Sequence, residues 1–158
     1  MSEVKKSRMK PRLGQLMAEK GGMYVAEALK RADATMEALR EPSLNGIDEY
    51  ITALDNLLIA SIDDSLRIEK LYARAGDIVS LSGAERSEAV QIAARSLCDL
   101  LDEASALTPS VLAGIKVHIA SIKLLHRAPE NPTLQDPILQ GLASVLEKQR
   151  GEGKGQLT

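Results

Sequence analysis

Two histidines, one cysteine and one acid–amide pair are the side chains whose types and spacing bear on chemistry. His118 and His126 stand eight residues apart on one helical stretch, about 12 Å at the usual rise and too far apart to share an ion. Neither Cys98 nor any His-Glu pair supplies a recognised metal-ligand spacing. No glycine-rich loop opens a helix in a phosphate-cradling pattern, and no Ser-His-Asp or Cys-His arrangement is visible. The expectation is therefore a protein with no metal, no cofactor and no catalytic residues of its own.

Val111, Ile115, His118, Ile122 and Leu125 are spaced by four, three, four and three. That spacing puts His118 on or beside a buried helix face, as a hydrogen-bonded packing residue. The alternative is a phosphoacceptor, which needs an exposed imidazole. His126 sits near a helix end, where the dipole favours its cation. Glu88 and Gln91 are three apart and can orient an attacking water, as in certain phosphatases of phosphorylated response regulators. The plainer reading is two polar residues in the first turn of a capped helix.

The elements that must position these residues are all helical. Leu13, Leu16 and Met17 imply a short first helix stopped by Gly21-Gly22. Val25, Ala28, Leu29, Ala32, Met36 and Leu39 form one stripe, and Pro42 should end that helix because its ring cannot sit inside a helical turn. Ser43 then caps a helix carrying Ile47, Ile51, Leu54, Leu57 and Leu58. Ser61, three residues before Asp64, is a loose capping signal for a helix with Ile68, Leu71, Ala75, Ile78 and Val79. Ser82-Gly83-Ala84-Glu85 reads as a capping box ahead of Ala89, Ile92, Ala93, Leu97, Leu100 and Leu101. Thr108-Pro109 is a strong start, a hydroxyl cap followed by proline in the first helical position. Pro129 and Pro132 break the chain, and Asp136-Pro137 opens a last helix with Ile138, Leu142, Val145 and Leu146. The sum is an all-α antiparallel bundle of six to seven helices with short links. A basic disordered arm is expected over 1–12 (Lys5, Lys6, Arg8, Lys10, Arg12), the bundle over 13–150, and a disordered tail over 151–158.

Composition agrees. The 158 residues are 44% hydrophobic and 27% charged, with no Phe, no Trp and only Tyr24, Tyr50 and Tyr72. A strand-built core would use more aromatic and β-branched residues. A net charge of -2 with so few aromatics counts against a nucleic-acid binder. One cysteine precludes an internal disulfide and fits a buried thiol in a cytoplasmic protein. The longest apolar runs are too short to span a bilayer, so no membrane insertion is expected.

The stretch LYARAGDIVSLSGAERSEAVQIAARSLCDLLD, residues 71–102, resembles histidine phosphotransfer (Hpt) domains. Those domains carry a helix with a His, a Lys three residues later and a Gly four residues later. A second glycine leads into an antiparallel helix ending in a small-apolar-acid pattern. Gly76 matches the first glycine, Gly83 approximates the second, and AARSLCDLLD (93–102) resembles the second helix. A glycine one turn beyond the acceptor leaves room for a receiver's aspartate pocket. The acceptor position holds Tyr72, however, and the lysine position Ala75. A phenol with a pKa near 10 cannot replace imidazole in a reversible relay at neutral pH. What the resemblance implies is an Hpt-like core without the phosphotransfer residue.

Across about 13–148 the chain also resembles the alphaproteobacterial CheE-like chemotaxis group, in GGMYVAEALKRADATMEALR (21–40), LYARAGDIVSLSG, SLCDLLD and VHIASIKLLHR (117–127). That likeness implies a cytoplasmic partner of two-component signalling, binding a CheY-like response regulator receiver domain or a chemotaxis histidine kinase. The expected partner-binding face is Tyr72 with Glu69, Ala73, Gly76 and Ser80, tyrosine being a common interface anchor. Two other readings stand beside it. One is phosphotransfer or phosphatase action through His118 or Glu88 and Gln91. The other is a helical scaffold or homodimerisation module.

Overall fold

A computed structural model describes Gly14 and residues 22–85, 88–128 and 131–155, without the side chains of residues 84, 85, 132 and 152–155. Five helices and no strand occur among the described residues. They are α1 (Val25–Ile59), α2 (Asp64–Glu85), α3 (Glu88–Asp102), α4 (Pro109–Arg127) and α5 (Pro132–Gly155). The expected all-helical class stands. The arm over 1–12, the helix expected around Leu13–Met17 (Gly14 apart) and Pro129 lie outside the described residues. The last segment is helical as far as Gly155, and 156–158 are also outside them.

The chain divides between Thr35 and Met36 into two units, α1 contributing residues 25–35 to the first and 36–59 to the second. In the first unit the apolar stripe is exposed: Val25 at 75% and Leu29 at 61%. Its order is local, with Arg31 paired to Glu27 at 2.6 Å and the Thr35 hydroxyl donating to the Arg31 carbonyl at 2.9 Å.

The second unit is an antiparallel helical bundle. Contacts pair ascending numbers on one helix with descending numbers on the next: Gly46 with Leu81 and Tyr50 with Arg74 between α1 and α2, and Ser96 with His118 and Leu100 with Gly114 between α3 and α4. Asp48 and Asp55 of α1 meet His126 and Lys123 of α4. The α5 helix runs back along α4, Val145 against Gly114 and Gln149 against Ser110. The hub is α3, which packs against α2, α4 and α5. Its Ala89, Val90, Ala93, Ala94, Leu97, Leu100 and Leu101 are all buried. Glycines make room for neighbouring leucine side chains. A Cβ on Gly46 would lie 2.7 Å from Leu81 Cδ1, and one on Gly114 would lie 3.2 Å from Leu100 Cδ2.

Local start signals account for two of the helix ends. Thr108, with φ -63° and ψ 159°, accepts from the Val111 N–H at 3.2 Å, and Pro109 follows at the first helical position. This matches the sequence expectation. Before α2 the capping oxygen belongs to Asp63, which accepts from the Ser65 N–H at 3.0 Å, rather than to Ser61. Arg67 pins the α1–α2 link, its Nη2 donating to the Ala60 and Ile62 carbonyls at 2.7 and 3.3 Å and its Nη1 to Asp64 at 3.0 Å.

One expected break is absent, which merges two expected helices into α1, and two expected helix starts are displaced. The α1 helix passes through Pro42, and Ser43 is buried inside it rather than capping a new helix. Ile47, Ile51 and Leu54 bury themselves directly after the proline, and that packing outweighs the N–H that Pro42 cannot give to the Ala38 carbonyl. Ser82 is not a cap: it lies within α2, buried, its hydroxyl donating to the Ile78 carbonyl at 2.7 Å. A serine so bonded is satisfied within a helix; the Glu85 side chain of the proposed capping box lies outside the described residues. Finally, α5 begins at Pro132 and contains Pro137. Asn131 starts it, accepting from the Leu134 N–H through Oδ1 at 3.3 Å.

Candidate functional site on the outer face of α2

The α2 helix has two faces at helical spacing. Leu71, Ala75 and Ile78 are fully buried, while Glu69, Tyr72, Ala73 and Ser80 are exposed. Tyr72 shows 46% of its surface. One turn on, a Cβ built on Gly76 would meet no atom within 4 Å, so the glycine opens a notch to solvent beside the phenol. Ser80 lines the far end of the notch, its hydroxyl donating to the Gly76 carbonyl at 3.0 Å. All five residues expected to form the partner-binding face therefore share the outer side of one helix.

The flank toward α1 is fixed by Arg74, which pairs with Asp77 at 3.0 Å and lies 5.3 Å from the centroid of the Tyr50 ring. This cation–π contact spends the arginine on holding α1 against α2. Leu66, 41% exposed, extends the outer face by one turn toward the N-terminus of α2. Sequence reading missed it, although its spacing from Glu69 and Ala73 was a usable signal.

The relay positions differ from those of a phosphotransfer helix in physical terms. Ala75, at the lysine position, faces the core, so no cation there reaches the surface beside Tyr72. Gly83 is helical rather than a turn residue, and a Cβ on it would lie 3.2 Å from Gln91 Nε2.

His118 is fully buried between α3 and α4. Its Nδ1 lies 2.8 Å from the Gly114 carbonyl and its Nε2 2.9 Å from Ser96 Oγ. A carbonyl only accepts, so Nδ1 carries the proton and Nε2 accepts from the serine hydroxyl. Burial holds the imidazole below its ordinary pKa, partly opposed by the Gly114 carbonyl. Ser96 was invisible as a partner in the sequence, because only the register between two helices joins it to His118. His126 lies in the last turn of α4, as its place in the sequence implies. Its side chain is 7% exposed, Nε2 lies 3.4 Å from Asp48, and Nδ1 has no hydrogen-bond partner.

Glu88 and Gln91 do not converge on a common point. Glu88 is exposed at the start of α3, and the Gln91 amide turns to α2, donating to the Val79 carbonyl at 3.3 Å. Cys98 is half-buried, its thiol pushed up by burial and by the neighbouring Asp99 carboxylate. No three metal-ligating side chains gather among the described residues, and no described helix is long and apolar enough to cross a membrane. No family model, no curated protein and no solved structure matches the chain.

Proposed function

We propose that this protein is a non-catalytic, Hpt-like signalling protein of the CheE-like chemotaxis group, acting in the cytoplasm, whose α2 face docks the receiver domain of a CheY-like response regulator. A chemotaxis histidine kinase is the other partner of the same class. By occupying the receiver, the protein alters how long its phosphoryl group persists without accepting that group. The observation that carries the reading is the exposed Tyr72 beside the open Gly76 notch, on a helix whose opposite face is core. The phenol supplies an amphipathic anchor, and the notch admits the rim of an aspartate pocket. Two further features favour docking over chemistry: the acceptor position is a tyrosine, and His118 is enclosed by α3 and α4.

The test is titration of the full chain with a receiver domain, alone and activated with beryllofluoride, together with incubation with radiolabelled phospho-receiver. Tyr72→Ala is expected to weaken binding by about tenfold or more, as loss of an interface anchor does, with helicity unchanged. No acid-labile label should appear on the protein. An unfolded Tyr72→Ala variant, unaltered affinity, or transferred label contradicts the reading.

A specific observation also favours the scaffold reading. Tyr24, Val25 and Leu29 in the first unit are exposed at 84%, 75% and 61%, an apolar stretch of the kind helices bury in self-association. Sedimentation of the chain alone separates the two: a concentration-dependent dimer lost in Val25→Ser/Leu29→Ser belongs to the scaffold reading.

A further inference from the structure

We propose that the outer face of α4 is a second docking site, for an acidic amphipathic helix of a partner protein; it stands apart from the α2 face and does not rest on the receiver reading. Ala113, Val117, Ala120 and Leu124 are spaced by four, three and four along α4 and so stack into one stripe. All four are exposed, Val117 at 46% and Leu124 at 45%. The opposite side of the same helix, with Ile115, His118 and Ile122, is core. A helix apolar on both sides is one expected to be covered on both.

Charge selects the occupant. Lys116 and Arg127 flank the stripe; both are exposed, and neither forms an ion pair among the described residues. Lys123, between them, is held by Asp55 of α1. The whole of α4 carries no acidic residue, in a chain whose net charge is -2. A second copy laid antiparallel on the stripe would bring these basic rows face to face, and like charges so placed repel. A lipid surface needs bulkier insertion than two alanines, a valine and a leucine provide. A helix with leucine-sized residues on one side and carboxylates along its flank meets both requirements. Its large side chains seat over Ala113 and Ala120, and its acids reach Lys116 and Arg127, which lie about 16 Å apart along the axis.

The test uses the full chain and two synthetic amphipathic peptides of about five helical turns. They share a Leu/Ala stripe and differ in carrying Glu or Lys on the flanks. Fluorescence anisotropy is expected to show saturable binding of the Glu peptide, weakening as salt screens the contact, and no binding of the Lys peptide. NMR shifts on adding the Glu peptide should centre on Val117, Ala120 and Leu124. Lys116→Glu/Arg127→Glu should weaken the Glu peptide by about tenfold or more and gain binding of the Lys peptide, a change in preference that misfolding cannot produce. Lys116→Gln/Arg127→Gln should lose the first without gaining the second. Equal binding of both peptides, shifts centred on another helix, dimerisation of the chain through α4, or capture by phosphatidylglycerol vesicles with no peptide binding would each overturn the proposal.

Discussion

His118 keeps one proton arrangement because each ring nitrogen meets a partner of fixed character: a carbonyl that only accepts, and a hydroxyl that can donate. Removing the hydroxyl alone strands a buried acceptor. Ser96→Ala should therefore cost about 1–3 kcal/mol in chemical denaturation, while Ser96→Ala/His118→Leu, which removes both polar partners, should recover toward wild type. The same pair sets a pH dependence. The folded-state pKa of His118 lies below its ordinary value, so the unfolded chain takes up the proton more readily. Stability from this site is then fully present above about pH 6.5, the unfolded value, and is lost as the pH falls toward the folded one. The melting temperature should drop on acidification below neutrality, and less steeply in the double variant. A silent Ser96→Ala and an unchanged slope in the double variant would show that the imidazole is not held as described. The burial of His118 was legible from its place in a four-three-four-three spacing. Ser96 was not, since a lateral bond depends on how two helices slide against each other.

Elements were legible where their signals are local and illegible where burial decides. Thr108-Pro109 works within one turn, through a side-chain oxygen and a missing N–H that no helix needs there, and it marked the start of α4 correctly. Pro42 carries an equally local signal and misled, because Ser43, Ile47, Ile51 and Leu54 are buried by the rest of the unit. The proline is tolerated at a cost, and Pro42→Ala should raise stability by up to about 3 kcal/mol with added helicity. A loss of stability would mean that a proline-imposed bend is needed at this position. Periodicity has a matching limit. The stripe from Val25 to Leu39 is helical as expected, yet Val25, Leu29 and Leu39 are exposed, because an apolar face announces that something can cover it and not what does.

For the molecule as a whole, the relevant quantity is the surface left after the second unit has closed. Its core is aliphatic, centred on α3, and among the described residues His118 is the one large polar side chain fully inside. Among the outward faces of the described helices are that of α2, with Tyr72 and the Gly76 notch, and that of α4, with its basic-flanked stripe. The exposed side of α2 was legible apart from Leu66, because Glu69, Tyr72, Ala73, Gly76 and Ser80 recur at helical spacing opposite Leu71, Ala75 and Ile78. The α4 face was not, because the sequence shows apolar residues on every side of that helix without showing which side is spent on the core. The two faces are separable by substitution. Gly76→Ala fills the notch without touching any atom and, as an alanine replacing a helical glycine, should stabilise the fold by about 0.5–1 kcal/mol. Weaker receiver binding from a more stable protein is a signature that damage to the fold cannot mimic.

The measurement that bears most directly on the proposed α2 docking face is an NMR titration of the full chain with an activated receiver domain, wild type beside Gly76→Ala. Shifts should gather on Leu66, Glu69, Tyr72, Ala73 and Ser80 and require a higher receiver concentration in the variant. Shifts that gather on another helix, or a variant that binds as tightly as wild type, would contradict the assignment of that face.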